Sequence, residues 1–168
     1  RMRPAAMAML YAGLRRGEAM ALTIDKDVDF KAKKICVHSA VHFVGNRPVV
    51  EERTKTDAGR RTIPLFTPLA ECLKNEKGYA LCTASGELCT ETAYQRGWEA
   101  YLNALSRAAG HPVNIRAHDL RHSFCTMLRD SGVDLKIAIK WMGHADEKMI
   151  LQIYDHITTE REEKAAHF

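Results

Sequence analysis

The sequence has no hydrophobic run that approaches the roughly 20 apolar residues needed to cross a bilayer. Its N-terminus also lacks the features of a secretory signal peptide. The five cysteines are an odd number and include no Cys-x-x-Cys pair, which favours free thiols in a reducing compartment over a disulfide framework. We therefore expect a soluble, cytoplasmic protein with no membrane contact.

Internal repeats, linkers and low-complexity segments are absent as well. A length of 168 residues suits one domain with a substantial core, so we expect a single domain over residues 1–168. The formal charge of +4 and pI near 8.8 permit a nucleic-acid partner without requiring one. Because the chain opens on Arg1 rather than on a methionine, we expect it to be a fragment of a longer protein.

Two kinds of periodicity are present. An apolar segment from Pro4 to Tyr11 and a long segment beginning at Thr90 predict helices. Between them, alternating residues over 35–43, a second short run over 48–50 and a third over 62–65 predict a three-stranded antiparallel meander. The expected fold class is α+β, a mostly helical single domain with a small three-stranded antiparallel sheet.

Most of the polar chemistry lies between residues 116 and 156. His118 and Arg121 stand at the head of a run with helical apolar spacing, and helix N-termini attract anions. Gly132 is expected to end that helix, and a second helix over 135–142 is expected to end at Gly143.

His144 follows that second helix directly, and Tyr154 lies on a third amphipathic run. An arginine, two histidines and a tyrosine near one anion suggest phosphate chemistry with the phenol as nucleophile. At an ordinary pKa of about 10, roughly one phenol in a thousand is ionised at pH 7, a penalty of about 4 kcal/mol. Guanidinium groups on the phosphate offset much of that penalty, so a second arginine is expected.

Two other interpretations of these residues are weaker. His118 and His122 are four apart, as in zinc hydrolases, but Asp119 stands where that motif has glutamate, and Arg121 would place a cation beside the metal. We therefore expect no metal and interpret His122 as a supporting hydrogen-bonding residue. The aromatic residues of the helix after Thr90 have the spacing of a core stripe rather than of a base-stacking surface.

Four motifs occur together in a recognisable order. They are Gly-Leu-Arg-x-Gly-Glu at 13–18, His-x-Leu-Arg-His at 118–122, Gly-His at 143–144 and Tyr154. In this combination the chain resembles the catalytic domain of the tyrosine recombinases of the phage-integrase type over nearly its whole length.

The resemblance implies a role for each matching residue. Arg15 and Arg121 match the two arginines that bind the phosphate, and His118 and His144 match the two histidine positions. Tyr154 matches the nucleophile, and Lys55 matches a lysine that the family carries on a β-hairpin as general acid toward the leaving 5′ oxygen. Glu18 would orient its neighbours. Arg60 and Arg61, beside the lysine, are expected to contact the DNA backbone.

The implied activity is site-specific recombination or integration, in which DNA strands are broken and rejoined through a 3′-phosphotyrosyl intermediate without metal or nucleotide cofactor. Double-stranded DNA is the implied partner, with self-association as a tetramer in the full-length parent and a place on a mobile genetic element. An N-terminal DNA-binding domain, usual in the family, is not in this sequence. The alternatives are a type IB-like topoisomerase, a catalytically silent DNA-binding domain and a zinc hydrolase.

Overall fold

A computed structural model describes residues 1–52, 60–143 and 147–155 of the chain. The helices within these ranges are α1 (Arg3–Tyr11), α2 (Arg16–Ala21), α3 (Ile24–Asp27), α4 (Thr67–Leu73), α5 (Glu91–Ala109), α6 (Ala117–Asp130), α7 (Leu135–Met142) and α8 (147–155). The strands are β1 (Val28–Asp29), β2 (Lys34–Val37), β3 (Ser39–Val44), β4 (Arg47–Glu52) and β5 (Arg61–Pro64). The predicted α+β class, mostly helical with a small antiparallel sheet, is confirmed.

The helix ends follow from local chemistry. Pro4 lies in the first turn of α1, where its missing N–H costs nothing. The Thr90 side chain accepts from the Ala93 N–H at 3.3 Å and so caps α5 as predicted. Gly132 and Gly143, at φ +73° and +89°, follow α6 and α7 in backbone conformations that favour glycine, which confirms the predicted ends.

The strands pair differently from the predicted meander. The segment 35–43 is two strands rather than one, since β2 pairs with β1 and β5 in a three-stranded sheet while β3 pairs only with β4. Val37 lies opposite Arg61, and Ser39 lies opposite Glu52. The pairing partner therefore changes within two residues, from β5 at Val37 to β4 at Ser39.

The buried side chains of the described residues form two hydrophobic clusters. The main cluster surrounds α1, which packs against α2, α4 and α6. The second cluster lies between α6, α7 and α8 and includes Phe124, Leu128, Met142 and Ile150. Because α6 contacts both clusters, it connects the N-terminal helices to the C-terminal ones.

The aromatic residues of α5 pack on the main cluster, as the helical spacing predicts. Tyr94 is buried, and Trp98 and Tyr101 are partly buried. Tyr94 and Trp98 stack with their ring centroids 6.3 Å apart. Tyr94 and Trp98 also line a cleft, which brings this part of α5 to the edge of the candidate site.

Candidate functional site

A cleft of about 480 Å³ lies where the start of α2, the first half of α5 and the start of α6 meet. Among the residues that the structure describes, the titratable or charged side chains of the lining are four arginines, one histidine and one tyrosine, without a carboxylate: Arg15, Arg16, Tyr94, Arg116, His118 and Arg121. A concave surface with this charge favours an anion. The cleft brings together three of the residues that the sequence predicted to act on one phosphate, namely Arg15, His118 and Arg121.

Arg121 is 1% exposed, although arginine is seldom fully buried. Its Nη1 donates to the carbonyl oxygen of Gly13 and its Nη2 to that of Met142. These contacts join α6 to the turn after α1 and to the end of α7. Carbonyl oxygens are neutral acceptors, so the two bonds fix the guanidinium without cancelling its charge.

Arg15 is held by Glu18 at the start of α2. The Arg15 backbone N–H donates to Glu18 Oε2 at 2.9 Å, and its Nη1 donates to Glu18 Oε1 at 3.2 Å. The Arg15 side chain keeps 28% exposure, whereas that of Glu18 is fully buried. The Arg15 side chain can therefore reach a ligand in the cleft while Glu18 holds its backbone and one of its Nη groups.

Glu18 also forms a buried ion pair with Arg61 of β5. Both Nη groups of Arg61 donate to the carboxylate, at 2.9 and 2.8 Å, and Arg61 Nε donates to the Trp141 carbonyl oxygen at 2.6 Å. Burial alone would raise the pKa of Glu18, but the hydrogen bonds and charge of Arg61, with those of Arg15, lower it to about 2. The carboxylate is thus ionised at neutral pH.

The expectation that Arg61 contacts DNA is wrong. This residue is 7% exposed, and its guanidinium donates to Glu18 and to the Trp141 carbonyl oxygen inside the protein. Instead it connects three parts of the site: α2, the sheet, and the end of α7. A charged residue in a turn-rich segment usually faces solvent, so local sequence gave no signal for the pairing with Glu18, 43 positions away.

The start of α6 is fixed by its own acidic residue. The Arg116 N–H donates to Asp119 Oδ2 at 2.8 Å, and the two side chains pair at 2.9 Å. The hydrogen bonds from Arg116 lower the pKa of Asp119 to about 2. Asp119 therefore serves as the acidic residue of a capping box at the start of α6.

His118 is exposed at the cleft, and its ring meets that of His122 edge-on with centroids 4.7 Å apart. Burial, followed by the charge of His118, lowers the pKa of His122, which favours neutral His122 beside Arg121. Over residues 1–52, 60–143 and 147–155, no group of three or more His, Cys, Asp or Glu side chains is arranged to hold a metal ion.

Tyr154 does not lie with these residues. Its phenol donates to the Val133 carbonyl oxygen at 3.0 Å, and its ring packs against the second cluster. Val133 follows the C-terminus of α6, whereas His118 and Arg121 are in its first turns. Burial, then the nearby Cys125 and Asp134, raise the pKa of Tyr154 to about 12. The expectation that the phenol converges on the same anion is not met in this conformation, because the docking of α8 holds it at the other end of α6.

Lys55 and His144 lie outside the described residues. Their described neighbours are nevertheless part of the site. Arg61, after the segment that contains Lys55, binds Glu18. Met142, two positions before His144, accepts from Arg121.

No helix in the described part of the chain is both long and apolar enough to span a bilayer.

Comparison with known proteins identifies the chain's relatives. The integrase of Staphylococcus phage L54a is 26% identical over 87% of this chain and 45% of its own length. The tyrosine recombinase XerC of Lacticaseibacillus casei BL23 is 30% identical over 92% of this chain and 50% of its own. The chain thus spans about half the length of the curated relatives it matches.

Solved structures agree with these relatives. The Tn1549 transposon integrase in complex with circular intermediate DNA superposes with a TM-score of 0.75 at 26% identity, over 96% of this chain and 59% of that one. The catalytic domain of bacteriophage HP1 integrase shares the fold, with a TM-score of 0.58 at 22% identity over 98% of this chain and 80% of that one. The sequence profile described as "Phage integrase family" matches residues 1–161. On this evidence, the chain belongs to the phage integrase family.

Proposed function

We propose that this chain is the catalytic domain of a site-specific DNA recombinase that breaks and rejoins double-stranded DNA. The observation that carries the proposal is the cleft in which Arg15, His118 and the buried Arg121 meet, with no carboxylate among the described lining residues. Two fixed guanidiniums of this kind stabilise the charge that develops on a phosphoryl group in its transition state. The relatives named above are integrases and recombinases, which favours strand exchange over the topoisomerase alternative.

In the proposed mechanism, Tyr154 attacks a phosphodiester and forms a 3′-phosphotyrosyl link while the 5′ oxygen leaves. Arg15 and Arg121 bind the nonbridging oxygens, and His118 takes the phenol proton. Lys55 protonates the leaving oxygen, and His144 donates to the phosphate. Attack of a 5′-hydroxyl on the phosphotyrosine reverses the step, so the bond energy is conserved and no nucleotide cofactor or metal takes part.

The mechanism requires Tyr154 to leave Val133. The move breaks one neutral hydrogen bond, worth about 0.5–1.5 kcal/mol net, and part of the apolar contact of α8. Contacts between Tyr154 and the phosphate replace these interactions. It also brings the phenol from surroundings that raise its pKa to about 12 to a site with two arginines, which favours the phenolate. The change in surroundings therefore activates the nucleophile only where DNA is bound.

The partner and assembly follow from the same proposal. Double-stranded DNA binds the cationic cleft, and the full-length parent assembles as a tetramer on its site, as the family resemblance implies. Sedimentation of the parent with and without duplex DNA measures that assembly. The five free cysteines agree with a reducing, cytoplasmic location for the parent.

The decisive experiment uses the full-length parent and a nicked suicide duplex in the presence of a chelator. The native protein should become attached to a DNA 3′ end, with the adduct at Tyr154. Tyr154→Phe should keep the fold and the DNA affinity but form no adduct. Tyr101→Phe, on the partly buried face of α5, is the matched control and should react normally. An adduct that persists in Tyr154→Phe, or that needs a divalent metal, would overturn the mechanism; DNA binding with no adduct in any variant would indicate the silent binding domain.

A further inference from the structure

Arg16 is the exposed first residue of α2 and follows Arg15 directly. Its guanidinium carbon lies 5.6 Å from the ring centroid of Phe43 on β3 and 5.4 Å from that of Tyr94 on α5. Both distances are within the range of cation–π attraction. Arg16 thus touches two aromatic rings from two different elements at the edge of the cleft.

The surroundings of Arg16 are fixed. A Cβ on Gly17 would lie 2.4 Å from the Val41 carbonyl oxygen, so α2 packs backbone-to-backbone on β3. The Asn46 side chain, in the turn after β3, accepts from the Thr92 N–H at 2.9 Å and so ties that turn to the start of α5. The two rings therefore have a fixed separation, and Arg16 is ordered before any ligand binds.

The other arginines of the site have protein oxygens as partners: Arg15 and Arg61 bind Glu18, Arg116 binds Asp119, and Arg121 binds two carbonyl oxygens. Within the ranges that the structure describes, the Arg16 guanidinium contacts two aromatic rings and donates to no carboxylate or carbonyl oxygen. Aromatic contact uses the face of a guanidinium and leaves its N–H groups at the edge. The Arg16 N–H groups therefore remain available to donate to a ligand in the cleft.

We propose that Arg16 binds a phosphate of the DNA backbone next to the one held by Arg15 and Arg121. This inference rests on the proposed function. The cleft volume of about 480 Å³ lies within the roughly 300–1,000 Å³ of small-molecule pockets, which is room for more than a single phosphate group. We assign phosphate as the ligand because four of the described lining residues are arginines, and half or more of protein–DNA hydrogen bonds go to the phosphates and sugars of the backbone. Prior ordering by Phe43 and Tyr94 lowers the entropy lost when the long side chain binds.

The test measures how the affinity of the full-length parent for a duplex depends on salt, since each neutralised phosphate contributes about −0.9 to the slope of log K against log salt. Arg16→Gln should weaken binding several-fold at low salt and make the slope shallower by about one phosphate. Phe43→Leu keeps the charge but removes one ring, so binding should weaken with the slope unchanged. Arg107→Gln, an exposed arginine in the last turn of α5, is the matched control and should change neither.

The outcomes separate the two proposals. If Arg16→Gln binds with the native slope, Arg16 does not neutralise a phosphate and the inference is wrong. An unchanged slope with a lower unfolding temperature would mean that Arg16 only joins β3 to α5, which also overturns it. If the native parent itself binds no duplex DNA, the proposed function fails first.

Discussion

Single residues in this site serve both the fold and the chemistry. Gly13 has φ +59° in the turn between α1 and α2, and its carbonyl oxygen accepts from Arg121. A Cβ at this position would lie 2.4 Å from Cδ1 of Phe124. The bare backbone of Gly13 therefore lets α6 approach closely enough for Arg121 to reach the turn.

A substitution at Gly13 should reveal the energetic cost of adding a side chain where Phe124 of α6 packs closely. Gly45 has the same φ of +59°, but a Cβ there would meet nothing within 4 Å. Gly45→Ala should cost about 1–2 kcal/mol of unfolding free energy for its backbone conformation alone. Gly13→Ala should cost about 1–3 kcal/mol more because Phe124 must move. Urea unfolding of both variants measures the difference, and equal losses would contradict the packing argument.

Arg121 provides the second prediction at this scale. A lysine at 121 keeps the charge but cannot reach both Gly13 and Met142 in the planar geometry of a guanidinium. Adduct formation by Arg121→Lys at saturating DNA should fall by about 10²–10³-fold, the usual loss for one transition-state donor. Duplex affinity should fall much less. Equal losses in rate and affinity would indicate that Arg121 only anchors the DNA.

At the scale of elements, the buried Glu18–Arg61 pair joins α2, β5 and the end of α7. Removing one partner of a buried pair leaves an uncompensated charge and costs about 3–5 kcal/mol, whereas an apolar pair of similar volume is often neutral. The pair is thus weak evidence for stability and better evidence for positioning.

The corresponding experiment compares Glu18→Leu and Arg61→Met with the double variant. Each single variant should be strongly destabilised, and the double variant should recover a large part of that loss, with a coupling of about 0.5–3 kcal/mol in a double-mutant cycle. Adduct formation should remain low in all three, because Glu18→Leu removes the partner of Arg15, Arg61→Met removes the donor to the Trp141 carbonyl oxygen, and the double variant lacks both. Recovered activity in the double variant would show that the pair does not position the site.

The elements also show what the sequence could reveal. The ends of α1, α5, α6 and α7 were predictable because proline, a threonine cap and glycines act within a few residues. The division of 35–43 into β2 and β3 was not, since the side-chain alternation continues while the pairing partner changes. The burial of Arg61 and the position of Tyr154 depend on contacts between distant segments, which no local pattern records.

For the whole molecule, the lowered pKa of Glu18 makes the free energy of unfolding decline as the pH becomes acidic. Its ordinary pKa of 4.5 falls to about 2 in the folded protein, so the folded state binds its proton less readily than the unfolded state. The stabilisation, on the order of 3 kcal/mol, is present above about pH 4.5 and is lost as pH falls toward 2. Urea midpoints at pH 7, 4.5 and 3 should show this decline.

The variant that lacks both Glu18 and Arg61 is the control for this pH dependence. Its stability should decline less steeply below pH 4.5, with Asp119, whose pKa is also about 2, accounting for part of what remains. If the stability of this variant fell as steeply below pH 4.5 as that of the native protein, other carboxylates would account for the pH dependence.

The hydrogen bond from Tyr154 to Val133 holds the phenol away from the arginine cleft. If Tyr154 is the nucleophile, a chance encounter with DNA can fill the arginine cleft while the cutting group is elsewhere, and such an encounter ends in release rather than in a broken strand. Breakage then requires a second event, the undocking of α8. The frequency of accidental cuts would then depend on the free energy of that undocking as well as on how tightly the protein binds DNA.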